Sequence, residues 1–566
     1  MIPTRPKESP ASLLASLEEI LREFGPREAA QKWSLLSKLS ALPHMPSRAL
    51  AGLHDCLCFV QAYPDDPRIK RAAEELTSRL RQWIALLPDS EETATLADRG
   101  FPGAVNRYPF SYAVLRRMAA LHPDCLEIEW DECEDEGPIQ NALVLLVSNN
   151  ECQGLDDIRL TMETWAQACK IDAEQSDLQL LLDIFEPAPL RLEERAYLFD
   201  SCNLPTRYHL ADPGTGRAEI RLAAPRIHYQ KRAIARKRYP LEPVIRKPLD
   251  SARPLPRRDG DRLIQTALRA LCARNLEIAT LMYANPEDCF LLSCGQGLRV
   301  GLIGVTPDMR DTLESSYFFV ILKNEIPIAY GPASVAMSCC EMGINLFPEF
   351  RGGEIHTIYA QFMRVLHQIL GVQYFYLTSY GMGEGNLEAI RTGAFWFYRK
   401  MGFRAENPAV EELARLEEVR MAREPGYRSN RKMLRRLSHT YAFFDISGGR
   451  CQRLDLGALG LAQSRFIARE FGGDRPLAIR ECRSRIVSLL RITDFRDWTA
   501  PRKRALELYA PLLCMFEDLP SWPAKDKKAL LRIIASKGSC TESRVDRLLS
   551  RQARLCQALR RIASDP

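Results

Sequence analysis

The sequence predicts an α/β protein in which a central mixed sheet with helices is flanked by mainly α-helical N- and C-terminal regions. Three observations lead to this prediction. Residues 317–403 alternate short β-like runs with helix-forming patterns. Apolar residues recur at helical spacing in residues 13–24, 33–42 and 50–60. Helical patterns resume from residue 411 onwards, so helices are expected on both sides of the sheet.

The central stretch begins with the pattern of a β-hairpin. Residues 317–322 and 326–330 are apolar runs joined by the polar turn Lys323-Asn324-Glu325. Pro327 has no N–H group to donate to a ladder, so it suits only a sheet edge or a bulge. A third β-like run, residues 339–347, should stop at the proline that follows it, for the same reason.

The third run leads into a glycine turn and a helix. The turn Glu349-Phe350-Arg351-Gly352-Gly353-Glu354 precedes residues 355–370, whose apolar side chains recur at helical spacing, with Gly371 at the expected C-cap. Free N–H groups and the dipole at a helix N-terminus favour an anion, and glycines let a phosphate approach the main chain. Arg351 would add a charged donor. The pattern therefore predicts an anion site at the start of this helix.

The next elements complete the central stretch. A strand is predicted at residues 373–379, followed by the glycine-rich loop 381–385 and a short helix. The stretch ends with residues 395–403, Phe-Trp-Phe-Tyr-Arg-Lys-Met-Gly-Phe. The glycine-rich loop could be a substrate lid or only a long connection.

Two short motifs in this stretch carry a resemblance to a known family. One is Pro348-x-x-Arg351-Gly352, and the other is Phe397-Tyr398-x-x-x-Gly402-Phe403, preceded by Ala394. With the order of strands and helices around these motifs, residues 262–410 resemble the GNAT superfamily of acyl-CoA-dependent N-acyltransferases. The resemblance implies an acyltransferase domain of that fold, and it says nothing about the rest of the chain.

The resemblance also implies a cofactor and the residues that bind it. In the family the turn holds the pyrophosphate of coenzyme A, while the preceding strand hydrogen-bonds the pantetheine arm. Acyl-CoA or acetyl-CoA is therefore the expected cosubstrate. The positions that correspond to this site are Leu346, Phe347, Arg351, Gly352, Gly353, Glu354 and Ile355.

The turn departs from the family's pattern at Glu354 and His356, where the family has small residues. Glu354 could point to solvent and favour the start of the helix electrostatically. It could instead place a carboxylate in the anion site and exclude coenzyme A. Arg391 stands where many relatives have an asparagine, which leaves the cofactor contact at that position open.

Two residues are the candidate catalytic groups. Attack of an amine on the thioester needs a base to take the ammonium proton and an acid to protonate the departing thiolate. Tyr398 stands where the family commonly has its acid, and Glu341, on the strand that would line the cleft, is the candidate base. The alternatives are a tyrosine packed among Phe395, Trp396 and Phe397, and a glutamate exposed at a sheet edge.

Composition places the chain among globular proteins. Its 566 residues are 46% hydrophobic, which allows sizeable cores, and length alone suggests about three or four domains. No apolar run approaches the roughly 20 residues that a membrane-spanning helix needs, and no secretory signal is evident. The 17 cysteines lack the spacing of zinc sites, so we expect buried reduced thiols, no bound metal and a cytoplasmic location.

The chain divides into five predicted regions: a helical region at 1–96, a mainly helical region at 97–225, a basic proline-rich linker at 226–261, the acyltransferase-like domain at 262–410 and a helical region at 411–566. The linker could gather phosphate groups of a nucleic acid or a cofactor, or lie as a solvated strap over an acidic neighbour. The net charge of +6 is mild for this length and does not by itself indicate nucleic acid.

Three functions remain, and the least favoured is nucleic-acid binding through the basic segments. The first is transfer of an acyl group from acyl-CoA to an amine on a small molecule or a protein. The second is a non-catalytic scaffold with a degenerate cofactor site, in which the helical flanks bind a protein partner. The last predicted helix, residues 542–563, carries an arginine face that either packs on the body of the protein or docks an acidic partner.

Overall fold

The computed structural model describes residues 9–87, 95–156, 159–172, 174–234, 240–352 and 354–564. These residues form a mixed α/β protein, as the sequence predicts. One hydrophobic core joins the N-terminal helices to the central sheet, and a second core lies among the C-terminal helices.

The N-terminal region consists of four helices, Pro10–Ile20 (α1), Pro26–Ser40 (α2), Ser47–Ala62 (α3) and Pro67–Ala85 (α4). Each buries leucines spaced by helical turns, so the helices pack on one another. The start of α4 is well defined, because the Asp66 side chain accepts the N–H groups of Arg68 and Ile69 and a proline occupies the first turn.

The following region combines a small sheet with short helices. Its strands are Val105–Arg107 (β1), Leu126–Ile128 (β2) and Thr206–His209 (β3), and β3 pairs antiparallel with both of the others. Its helices are Tyr112–Leu121 (α5), Gly137–Val144 (α6), Asn149–Leu155 (α7), Met162–Cys169 (α8), Asp177–Phe185 (α9) and Leu192–Asp200 (α10). The rings of Tyr112, Phe185 and Phe199 pack together and join α5, α9 and α10.

The stretch predicted as an extended linker, residues 226–261, is packed in part, although most of its described residues are exposed or half-buried and lie outside helices and strands. It contains helix α11, Leu241–Arg246, and the start of helix α12, Arg257–Cys272. Leu241 and Ile245 are fully buried. The Arg364 guanidinium donates to the carbonyls of residues 247 and 248. These two carbonyl groups lie outside helices and strands, and Arg364 supplies the hydrogen-bond donor that they need. Composition alone could not indicate this contact.

The central sheet contains nine strands among the described residues. They are Ala284–Gly295 (β4), Leu298–Val305 (β5), Ser315–Lys323 (β6), Ile326–Ala336 (β7), Cys339–Met342 (β8), Asn345–Leu346 (β9), Tyr374–Leu377 (β10), Arg404–Ala405 (β11) and Ala442–Asp445 (β12). Their order is β11-β12-β10-β8-β7-β6-β5-β4, with β9 beside β7. The pair β8 and β10 is parallel. Because β12 lies between β10 and β11, the sheet continues past residue 410, the predicted end of the domain.

The predicted hairpin is present as β6 and β7, with Lys323 paired to Ile326 beside the turn. The ladder is irregular next to the pairing of Leu322 with Pro327, as expected for a residue without an N–H group. The run predicted as one strand at residues 339–347 is divided, because residues 343 and 344 separate β8 from β9.

The remaining helices cover the sheet and form the C-terminal region. Around the sheet lie Ala279–Met282 (α13), Ile355–Leu370 (α14), Ser379–Met382 (α15), Leu387–Thr392 (α16), Ala394–Met401 (α17), Pro408–Arg423 (α18) and Arg431–Ser438 (α19). The C-terminal region contains Leu456–Phe471 (α20), Arg475–Leu490 (α21), Ala500–Cys514 (α22), Ala524–Lys537 (α23), Val545–Arg551 (α24) and Ala553–Ser564 (α25). Helix α14 ends at Gly371 in a left-handed conformation, as predicted.

The last predicted helix, residues 542–563, is divided into α24 and α25 at Gln552. Its arginine face packs in part on the body of the protein. Arg547 donates to the Gln368 carbonyl at 2.5 Å, and Arg554 lies 3.0 Å from Asp526.

Buried charges attach the C-terminal helices to the sheet. The Arg310 guanidinium donates to the carbonyls of Lys537 at 2.9 Å and Cys540 at 3.0 Å, and it lies 3.6 Å from Asp288. Burial raises the pKa of Asp288 to about 6, although Arg310 opposes that shift. The C-terminal region is therefore docked through groups that would be costly to leave unpaired.

Among the residues that the structure describes, no helix has both the length and the apolar character needed to cross a membrane.

Candidate functional site

A large cleft lies where two neighbouring strands of the central sheet separate. The parallel pairing of β8 with β10 ends at Glu341 and Tyr376. Beyond that point the chain after β8 stays beside β7 as β9, whereas Leu377 pairs with β12. The cleft between them has a volume of about 1160 Å³. It thus opens at the C-terminal ends of parallel strands, a common position for ligand sites in α/β sheets.

One wall of the cleft is a short interruption in the pairing of β7. Gly343 and Ile344 lie between β8 and β9 and line the cleft. Pro332 of β7 lies beside this interruption and has no N–H group to donate across it. A Cβ at Gly331 would lie 2.4 Å from the Gly343 carbonyl oxygen, so the two strands require a glycine there. Main-chain groups at the interruption therefore face the cleft.

Leu346 and Phe347, predicted to contact the cofactor, both line the cleft. The Phe347 N–H donates to the Ile328 carbonyl at 3.1 Å, so that group is already engaged. The Phe347 ring stacks on Tyr330 with ring centres 5.1 Å apart, and the Arg274 guanidinium lies 3.7 Å from its centre. Phe347 contributes an apolar surface to the cleft rather than a free N–H.

The N-terminus of α14 opens into the same cleft. Arg351, Gly352 and Ile355 line it, and Gly352 has a φ of +80°, which favours glycine. Among the described residues, the N–H groups of Ile355 and Thr357 have no hydrogen-bond acceptor. Gly353, also predicted to contact the cofactor, lies outside the described residues. The exposed Arg351 guanidinium lies 2.9 Å from Glu388 of α16.

Glu354 lies at the N-cap of α14, but its side chain does not line the cleft. It is buried, and its Oε1 lies 2.5 Å from Nζ of Lys323 at the end of β6. The Lys323 ammonium lies 4.8 Å from the centre of the Tyr63 ring in the N-terminal helices. His356 is also buried and does not line the cleft. The carboxylate of Glu354, the residue that departs from the GNAT pattern, is thus paired with Lys323 and lies outside the cleft lining.

The turn before α14 is held from outside the central sheet. Nη1 of Arg22, which follows α1, donates to the Arg351 carbonyl at 2.5 Å. The Glu349 carboxylate lies 2.5 Å from the Arg274 guanidinium, and both side chains are buried. Although burial by itself would raise the pKa of Glu349, the charges of Arg274 and Arg217 lower it to about 2. The turn therefore rests on a charged pair that stays ionised at neutral pH.

Tyr398, the candidate acid, lines the cleft together with Tyr359 of α14. Their hydroxyl oxygens lie 2.7 Å apart. Burial raises the pKa of both phenols, so both keep their protons at neutral pH. Tyr398 also makes edge contacts with the Phe397 and Phe403 rings. The sequence left two alternatives for Tyr398, packing among aromatic rings or a position in the cleft. In the structure Tyr398 has both.

Glu341, the candidate base, lines the cleft from β8. Its side chain is exposed, but partial burial of the carboxyl group raises the pKa of Glu341. The charge of Arg453 opposes this shift. Ser334 of β7 is its cross-strand partner and also lines the cleft. A raised pKa makes the carboxylate a stronger base than an isolated glutamate.

Several residues of the cleft were missed from the sequence. Tyr359 belongs to the periodic apolar face of α14, and its hydroxyl gave no separate signal. Arg217 and Arg274 precede the central sheet and reach the cleft only through the fold. Asn386 is an exception, since its position before a short helix is a recognisable N-cap, and it accepts the Ala389 N–H at 3.0 Å. Arg391, in contrast, does not line the cleft.

Within the described part of the chain, His122, Cys125 and Asp212 form the set whose donor atoms could share a metal ion. His122 Nδ1 and Cys125 Sγ lie 3.3 and 3.4 Å from the same Oδ2 of Asp212, distances that hydrogen bonds account for. Burial and the charge of Arg269 lower the pKa of His122, and the same guanidinium would repel a cation. This set lies outside the cleft.

Comparison of the chain with family models, with curated proteins and with solved structures finds no match. The resemblance to the GNAT superfamily therefore stays a prediction from the two sequence motifs.

The Glu349–Arg274 pair predicts a specific pH dependence of stability. A carboxyl whose pKa falls from 4.5 to about 2 on folding stabilises the protein above pH 4.5, and this contribution is lost as the pH falls towards 2. The contribution is about 3 kcal/mol. Urea unfolding measured from pH 6 to pH 3 should therefore show a weaker loss of stability in Glu349→Gln than in the wild type.

Glu412→Gln serves as the control for this experiment, because Glu412 is exposed and pairs with Arg415 at 3.2 Å on the surface. It should retain the wild-type pH dependence. Equal slopes for Glu349→Gln and the wild type would contradict the lowered pKa.

Proposed function

We propose that this protein transfers an acyl group from acyl-CoA to an amine. The observation that carries the proposal is the cleft between β8 and β10, which leads onto the start of α14. N–H groups at a helix N-terminus that have no acceptor among the described residues, a left-handed glycine and an arginine suit a pyrophosphate. A separated pair of strands offers main-chain groups to an amide-containing arm such as pantetheine.

The reaction would proceed by direct attack of the amine on the thioester. The nitrogen forms a bond to the carbonyl carbon, and the carbon–sulfur bond breaks. Glu341 takes one proton from the ammonium before the attack, the nitrogen loses its second proton to solvent as the carbon–sulfur bond breaks, and Tyr398 donates its proton to the thiolate. The products are an amide and coenzyme A with a free thiol. When Tyr359 donates its hydrogen bond to Tyr398, it stabilises the phenolate that remains.

The acceptor is proposed only by its chemical class, an amine. Glu341 and Ser334 supply polar groups at one part of the cleft, while Leu377 and Met342 supply apolar surface. This arrangement is compatible with an amine on a small molecule or on a protein side chain. We also propose that the protein is cytoplasmic and that its helical flanks bind a protein partner.

The second candidate function is a non-catalytic scaffold of the same fold. One observation favours it: the Arg351 guanidinium is already paired with Glu388 across the cleft at 2.9 Å. Both side chains are more than half exposed, however, so the pair contributes little and a phosphate could replace the carboxylate.

Calorimetric titration with acetyl-CoA and with a longer acyl-CoA separates the two functions. We expect binding of at least one of them, and about tenfold weaker binding to Arg351→Ala, because a hydrogen bond to a charged group is lost. Arg391→Ala is the matched control, since this exposed arginine of α16 does not line the cleft. Failure of the wild type to bind either thioester would leave only the scaffold.

The role of Tyr398 is tested by Tyr398→Phe, which removes the proton donor and keeps the ring. Release of coenzyme A thiol in the presence of a panel of primary amines should fall by about 100-fold or more, while acyl-CoA affinity changes little. Tyr197→Phe should behave as the wild type, because Tyr197 is exposed and does not line the cleft. Unchanged turnover in Tyr398→Phe would remove this residue from the mechanism.

A further inference from the structure

Four arginines line the cleft, and among the described residues one of them has no partner. Arg351 is paired with Glu388, Arg274 with Glu349, and Arg217 with Asp55 at 2.7 Å. Arg99 is exposed, and it makes no ion pair or hydrogen bond within the part of the chain that the structure describes. An arginine that faces a cleft without a carboxylate is available to an anionic ligand.

The loop that carries Arg99 is held firmly. Gly100 has a φ of +71°, and a Cβ there would lie 1.7 Å from the Ala273 carbonyl oxygen, so the loop is in direct contact with the end of α12. The Gly100 N–H donates to Asn106 at 3.0 Å, and its carbonyl accepts the Arg217 N–H at 2.8 Å. The main chain at Arg99 is therefore positioned by buried neighbours rather than by its own side chain.

This loop also lies beside the turn that precedes α14. Ala273 is followed by Arg274, whose guanidinium pairs with Glu349 of that turn. The neighbouring carboxylate of Asp98 is engaged, since it accepts the Arg107 N–H at 2.5 Å. The cleft thus has two positive positions: one at Arg351 and the helix N-terminus, and a second at Arg99, contributed by a region outside the predicted acyltransferase domain.

We propose that Arg99 binds the phosphate on the ribose of coenzyme A, so that the acyl donor is the complete coenzyme A thioester and not an acyl group on a carrier protein. This inference rests on the proposed function. Coenzyme A carries two separated anionic groups, its pyrophosphate and its ribose 3′-phosphate, whereas the phosphopantetheine arm of a carrier protein has a single phosphate. Two positive positions, contributed to one cleft by different regions of the chain, suit the former. A cleft of about 1160 Å³ also suits a long ligand.

The test compares the affinities of acetyl-CoA, acetyl-3′-dephospho-CoA and acetyl-phosphopantetheine for the wild type and for Arg99→Ala. In the wild type, loss of the 3′-phosphate should weaken binding about tenfold or more. Arg99→Ala should weaken acetyl-CoA by a similar factor and leave the affinity for the dephospho form unchanged. Arg391→Ala, which alters the charge outside the cleft lining, should preserve the discrimination.

Because Arg99 is exposed, its replacement should leave the unfolding midpoint of the protein unchanged, which separates a binding effect from a folding defect. Equal affinity of the wild type for acetyl-CoA and its dephospho form would overturn the role of Arg99 while the proposed function stands. So would an equal loss for both ligands in Arg99→Ala. Absence of binding by all three thioesters would overturn the proposed function and this inference with it.

Discussion

The buried ion pair between Lys323 and Glu354 is the interaction on which the candidate site depends. Lys323 ends β6, and Glu354 stands at the N-cap of α14, so the pair joins the central sheet to the helix that faces the cleft. Removing one member of such a pair costs about 3–5 kcal/mol, because the other is left buried and uncompensated. The pair also turns a carboxylate away from the place where an anion would bind. A residue that looks incompatible with a phosphate in the sequence is neutralised in the fold.

The cleft is a product of several regions, although the central sheet supplies its floor. Arg22 from the N-terminal helices donates to the turn before α14, and Arg274 pairs with Glu349 beneath it. Arg99 and Arg217 reach the same cleft from the region that follows the N-terminal helices. These contacts accompany a hydrophobic core that the two regions before the sheet share with it, whereas the C-terminal helices have a core of their own.

The sequence predicted what local pattern controls. The β6–β7 hairpin, the irregular ladder at Pro327, helix α14 and its glycine cap follow from periodicity and from missing or permissive backbone groups. It did not reveal the packed helix within residues 226–261, or the placement of β12 beside β10, since both depend on distant partners. Composition described that segment correctly as basic and proline-rich, but composition does not specify what a segment packs against.

The candidate site was predictable to a similar extent. The motif residues Leu346, Phe347, Arg351, Gly352 and Ile355, and the two candidate catalytic residues Glu341 and Tyr398, all line one cleft. Glu354 does not, because its partner Lys323 is 31 residues away and no spacing rule connects them. Tyr359 was hidden among apolar neighbours on a helix face, where a hydroxyl leaves no periodic signal.

The most direct measurement is the affinity for acetyl-CoA of Lys323→Met, Glu354→Gln and the double variant. If Lys323 holds the carboxylate away from the start of α14, Lys323→Met should bind acetyl-CoA at least about tenfold more weakly, since an unpaired negative charge then stands beside the phosphate site. The double variant should regain binding close to that of the wild type. Wild-type affinity in Lys323→Met would contradict the account.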